Sequence, residues 1–172
     1  QDLYDGWLAT LAEHGIDPGT VVLDDRWQAA YGTNEPDPEH WPDLRGWIDR
    51  QHAAGRRVLL WFKAWDPGGL DAALCLRDPA GTAVAVDPGN PAYLDAMAEQ
   101  VRWCLSPDGL DADGFKVDYT QRTPTGRMLR ASPGSTADEG VWGIAALHRM
   151  LTALYAAAHD AKPDALVVTH TM

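Results

Sequence analysis

Aspartates gather where apolar runs stop. Val21-Val22-Leu23 ends in Asp24-Asp25, Ala83-Val84-Ala85-Val86 ends in Asp87, Gly114-Phe115-Lys116-Val117 ends in Asp118, and Asp66 follows Val58-Leu59-Leu60-Trp61-Phe62 by a few residues. Aspartate is a poor strand former and a good turn former, so any one of these is explained by the turn it begins. Several on one rim need more, because like charges repel unless they serve a cation, a sugar or a proton transfer. Two chemistries fit. Asp24, Asp87 and Asp118 from successive strands could hold a divalent metal. Alternatively, one carboxylate attacks a sugar as a nucleophile while another serves as acid. No H-x-H or H-E-x-x-H occurs, and His170 stands alone after the last apolar run, which reads as a rim residue rather than a ligand set.

Tryptophan leans toward sugar. The chain has eight Trp against two Phe, with Trp27 two residues after Asp25, Trp61 inside an apolar run and Trp65 just beyond it. Indole faces stack on the C–H face of pyranose rings while acids bond the hydroxyls; the competing role for Trp61 is plain core. Lys116 lies two positions before Asp118, so in a strand both point to the same side. Its ammonium would keep that carboxylate ionised, as a nucleophile requires, or bond a sugar hydroxyl. An ion pair of purely structural value is the alternative.

The elements that must carry these residues alternate. Leu3, Tyr4, Trp7, Leu8 and Leu11 recur at helical spacing before Gly15. Leu44, Trp47 and Ile48 open a helix that stops at Gly55, and Asn90-Pro91 reads as an N-cap and first helical position. Leu94, Met97, Val101, Cys104 and Leu105 continue that helix, and Val141, Ile144, His148, Leu151 and Leu154 mark the longest one. Between them lie five apolar runs, the last being Ala165-Leu166-Val167-Val168. Continuous apolar runs suit parallel strands buried on both faces. Alternating helices and strands predict an α/β fold with right-handed crossovers, and the acid-tipped strand ends favour a (β/α) barrel.

Composition narrows the partners. With 14 Lys+Arg against 25 Asp+Glu, the 172-residue chain carries a formal charge of −11, which disfavours nucleic acid and anionic lipid. No apolar run reaches the length of a membrane span. The first residues, Gln1-Asp2-Leu3-Tyr4, lack a basic start and an apolar stretch, so no signal peptide is expected, and a soluble chain is, with a cytoplasmic setting favoured. Neither nucleotide-loop pattern occurs, and no cofactor is expected. Cys75 and Cys104 read as structural thiols.

The ordered motifs carry a resemblance. Val21-Val22-Leu23-Asp24-Asp25-Arg26-Trp27 resembles the D-D-G-W first-strand motif of the α-galactosidase-like glycoside hydrolase family 36. Leu59-Leu60-Trp61-Phe62 resembles that family's W-F strand. Gly114-Phe115-Lys116-Val117-Asp118-Tyr119 resembles its K-W-D-M-N nucleophile strand, and the Gly-Phe also resembles the G-F-W-x-D-M-N strand of the α-glucosidase-like family 31. The resemblance implies a retaining α-glycosidase on a (β/α)8 barrel that takes an oligosaccharide or glycoside. It implies Asp118 as nucleophile, Asp24 and Asp25 bonding sugar hydroxyls with Trp27 beside them, and Lys116 bonding a ring hydroxyl. Trp61 joins the expected substrate-binding residues on the ground of ring stacking alone. Arg26 replaces the family's Gly, Lys63 its usual Glu, and Tyr119-Thr120 its Met-Asn. A full barrel takes about 250 residues, so residues 1–172 are expected to be one partial catalytic domain, about the first five strands, with the acid/base outside them. Such a chain is expected to be inactive alone on aryl α-glycosides and to self-associate through its open sheet edges. A non-catalytic carbohydrate-binding relative is the other reading.

Overall fold

The computed structural model describes residues 1–136 and 140–169. The elements run α1 (Asp2–Glu13), β1 (Thr20–Leu23), β2 (Gln28–Ala30), β3 (Glu35–Pro36), α2 (Leu44–Ala53), β4 (Arg57–Lys63), β5 (Cys75–Arg77), β6 (Ala83–Val86), α3 (Pro91–Leu105), β7 (Gly114–Asp118), α4 (Gly143–Ala161) and β8 (Leu166–Thr169). The central sheet has four strands in the order β1-β4-β7-β8, all parallel. β2 pairs with β3, and β5 with β6, as small antiparallel sheets.

Local chemistry sets the helix ends. Asn90 caps α3 by accepting from the Ala92 amide, with Pro91 in the first turn, where its missing N–H costs nothing. Asp43 caps α2 through the Gly46 amide, and Gly55, at φ 76°, takes the left-handed turn beyond its end. The start of α3 at Asn90-Pro91 and the stop of α2 at Gly55 match the sequence expectation; the Asp43 cap lies outside it.

Register sorts the sheet into two faces. Leu60 pairs with Leu23 and with Phe115, and Phe115 with Val167. This row joins a core built with Trp47 and Ile48 of α2, Met97 and Val101 of α3, and Met150 and Leu154 of α4. The alternate residues, Val22, Leu59, Trp61, Lys116, Leu166 and Val168, share the other face. There Leu166 and Val168 are 46% and 44% exposed. Gly114 sits between Leu59 and Leu166 on that face at φ 146°.

The expectation of five strands in the parallel sheet is corrected to four among the described residues. Ala83–Val86 is a strand, but it forms a hairpin with Cys75–Arg77. β4 pairs directly with β7, leaving no slot between them. A short apolar run signals a strand without naming its neighbour. Asp87 therefore ends a hairpin strand, not a sheet strand. It is fully buried, and its carboxylate accepts from the Gly89 and Ser132 amides at 2.8 and 2.7 Å. Cys75 and Cys104 are both buried free thiols; burial raises the pKa of Cys75 and pushes that of Cys104 well above the ordinary thiol range. No helix among the described residues is long and apolar enough to cross a membrane. His170 lies outside the described residues.

Candidate active site

The C-terminal ends of β1, β4 and β7 bring Asp24, Asp25, Trp61, Lys116 and Asp118 to one rim. Trp61 pairs in register with Lys116, and Lys63 with Asp118. Leu23 pairs with Leu60, so Asp24, one residue on, falls level with Trp61.

Asp118 is held from two sides. The Trp61 indole donates to Oδ2 at 3.1 Å, and the Tyr119 amide donates to Oδ1 at 2.7 Å. Tyr119 adopts φ 60°, which turns the chain sharply after the strand. The Tyr119 carbonyl in turn accepts from the Trp65 indole at 3.1 Å, so the turn is itself anchored.

Lys116 reaches across the Trp61 position to Asp24, with Nζ–Oδ2 at 2.7 Å. Same-side placement with Asp118 follows from the strand, but the ion pair that forms is with the aspartate of β1. Tyr4 of α1 braces the same acid: its hydroxyl accepts from the Asp24 amide at 2.9 Å and donates to the Val22 carbonyl at 3.3 Å. Burial raises the Tyr4 phenol above its ordinary pKa, so this hydroxyl stays a donor. Asp25 accepts from the Tyr31 hydroxyl at 2.6 Å. That bond is the first cause of a raised Tyr31 pKa, followed by burial.

The two tryptophans expected to face a sugar do not offer free rings. Trp27 is 1% exposed and donates its indole N–H to the Trp61 carbonyl at 2.7 Å. Trp61 is 3% exposed, so what it presents to the site is its N–H rather than its face. Aromatic surface at the rim comes instead from Tyr31 and Tyr119, which meet Trp61 edge-on at 5.6 and 6.2 Å. Neither tyrosine sits in a spacing that marks it in the sequence; Tyr31 arrives through the short β2–β3 hairpin, which has no apolar periodicity.

A metal centre on Asp24, Asp87 and Asp118 does not form among the described residues, since both Asp87 oxygens cap backbone amides. Among the described residues, the group close enough to share a cation is Asp49, His52 and Asp111. It lies near the N-terminal strand ends, where Arg45 already pairs with Asp49 at 2.9 Å and Lys162 with Asp111 at 2.8 Å. It reads as an ion-pair network.

These elements and their register define an α/β fold with a parallel sheet, which solved structures of several glycosidases share. Solved structures that share it include a family 31 α-xylosidase from a soil metagenome complexed with xylose, with TM-score 0.66 and 13% identity over 94% of this chain. An α-galactosidase from Thermus thermophilus in complex with p-nitrophenyl α-D-galactopyranoside gives 0.61 and 22% over 96%. A cycloalternan-degrading enzyme from Trueperella pyogenes gives 0.60 and 20% over 99%. The chain spans only 27%, 34% and 30% of those three proteins. No protein-family model matches the sequence, and no curated protein does.

Proposed function

We propose that residues 1–172 are one partial catalytic domain of a retaining α-glycosidase, the parallel sheet forming part of a (β/α)8 barrel. The observation that carries this reading is Asp118 at a strand end, fixed by the Trp61 indole and the Tyr119 amide beside the Lys116–Asp24 pair. The shared fold of an α-xylosidase, an α-galactosidase and a cycloalternan-degrading enzyme supports it. In this reading Asp24, Asp25 and Lys116 bond the hydroxyls of an α-glycoside. Asp118 attacks the anomeric carbon, the bond to the aglycone oxygen breaks, and the resulting glycosyl ester is resolved by water. In this reading the proton for the leaving oxygen is supplied from outside residues 1–172, so aryl α-glycosides are not turned over by them alone.

Fluoride leaves without a proton donor, which makes the first step testable by itself. Incubation with 5-fluoro-α-glycosyl fluorides of galactose, glucose and xylose is expected to add one fluoroglycosyl mass, on the peptide carrying Asp118. Sugar binding without an adduct would favour a non-catalytic relative, and the absence of both binding and adduct would reject the glycosidase reading.

The partial barrel also predicts self-association. Among the described residues β1 pairs with β4 alone and β8 with β7 alone, and Leu166 and Val168 stand exposed beside the free β8 edge. Light scattering is expected to show an average mass that rises with concentration, and Leu166→Glu with Val168→Glu is expected to suppress the rise. A concentration-independent monomer mass would count against an open sheet.

A further inference from the structure

We propose that Lys63 is a positioning residue, a cationic strut that holds the Tyr31 and Tyr119 segments together and thereby fixes Asp25 and Asp118 relative to each other. The inference rests on the glycosidase reading for its purpose, though not for its geometry. Lys63 ends β4, in register with Asp118. Its ammonium lies 2.9 Å from Asp66, 4.0 Å from the centre of the Tyr31 ring and 5.8 Å from that of Tyr119. Each of these tyrosines is bonded to a rim acid. The Tyr31 hydroxyl donates to Asp25 at 2.6 Å, and the Tyr119 amide donates to Asp118 at 2.7 Å. Both rings also pack edge-on against Trp61, which donates to the other Asp118 oxygen.

One ammonium thus serves as the shared partner of two segments far apart in sequence, each carrying an acid. A cation over a ring face is attracted only while it is charged. Burial by itself would lower the Lys63 pKa, but the hydrogen bond and charge of Asp66, with the two tyrosines, outweigh it and raise it. The strut therefore holds across neutral pH. With Asp66 on one side and aromatic rings on others, Lys63 acts through its neighbours rather than on a ligand.

The test compares Lys63→Met, which keeps the length and removes the charge, with Lys63→Arg, which keeps both the charge and the affinity for a ring face. In chain labelled with carboxyl-carbon-13 aspartate, Lys63→Met is expected to shift the Asp25 and Asp118 resonances, and Lys63→Arg to leave them near their original positions. Labelling by the glycosyl fluoride is expected to slow about tenfold in Lys63→Met, as for reacting groups slightly misplaced, and to recover in Lys63→Arg. Should Lys63→Met fail to fold, Asp66→Asn removes the anchor of the ammonium and is expected to move the same two resonances. Unmoved resonances in a folded Lys63→Met or Asp66→Asn chain would overturn the strut, as would an arginine that restores nothing. Shifted resonances without any glycosyl adduct on the original chain would instead reject the glycosidase reading and leave the strut standing.

Discussion

Asp118→Asn is expected to slow glycosyl transfer from an activated fluoride by about 10⁴-fold or more, the scale on which loss of a nucleophile is felt. The amide keeps the shape of the carboxylate but has no lone pair basic enough to form the ester. The substitution also carries a cost in stability. Asp118 accepts from two donors on different oxygens, the Trp61 indole and the Tyr119 amide. Asparagine has a single oxygen, so one donor loses its acceptor, at about 1–3 kcal/mol. The variant should still fold, given the several kcal/mol in hand for a domain of this size. Far-ultraviolet circular dichroism at the assay temperature separates the chemical loss from unfolding. A folded Asp118→Asn chain that is labelled at the original rate would place the nucleophile elsewhere.

The second large effect is structural. Gly114→Ala is expected to destabilise the chain by about 3 kcal/mol or more, combining the strain of positive φ with an overpacked contact. A Cβ at this position would stand 1.9 Å from the Leu166 carbonyl oxygen, a backbone atom that cannot swing away. The only relief is to push β8 off β7. For a domain of this length, that loss corresponds to a fall of about 6–12 °C in Tm. Gly6 is the control, since its Cβ would meet nothing within 4 Å on the exposed side of α1; Gly6→Ala should leave Tm unchanged or raise it slightly. Equal melting of Gly114→Ala and the original chain would mean that β8 does not pair as described.

What could be read from the residues is what local chemistry decides. Asn90-Pro91 opens α3 because its capping bond and fixed φ need nothing from the rest of the chain. Val58–Phe62 is a strand because a continuous apolar run of that length has few other uses. The side on which Lys116 lies followed from strand alternation alone. Its partner did not: Asp24 lies 92 positions away and meets it only because β1 and β7 flank β4. Ala83–Val86 shows the same limit, a strand by pattern whose sheet is set by tertiary packing. Trp27 and Trp61 show another. Ring-stacking value depends on exposure, and nothing in their spacing reveals that the Trp61 carbonyl would draw in the Trp27 indole. Tyr31 and Lys63 came to the rim through three-dimensional neighbours, so no spacing pointed to them as a pair.

The ion pairs at the rim also shape the field a solute meets on approach. The chain as a whole carries a formal charge of −11, yet Lys116 and Lys63 stand against Asp24 and Asp66 at 2.7 and 2.9 Å. Paired charges that close cancel within a Debye length, about 8 Å at physiological ionic strength. These two pairs are therefore locally muted, while the Asp25 and Asp118 carboxylates beside them keep the rim in step with the anionic body. An uncharged molecule reaches the rim without steering, at a rate that added salt leaves alone, whereas an anionic one is slowed by the surrounding surface and gains speed as salt screens it.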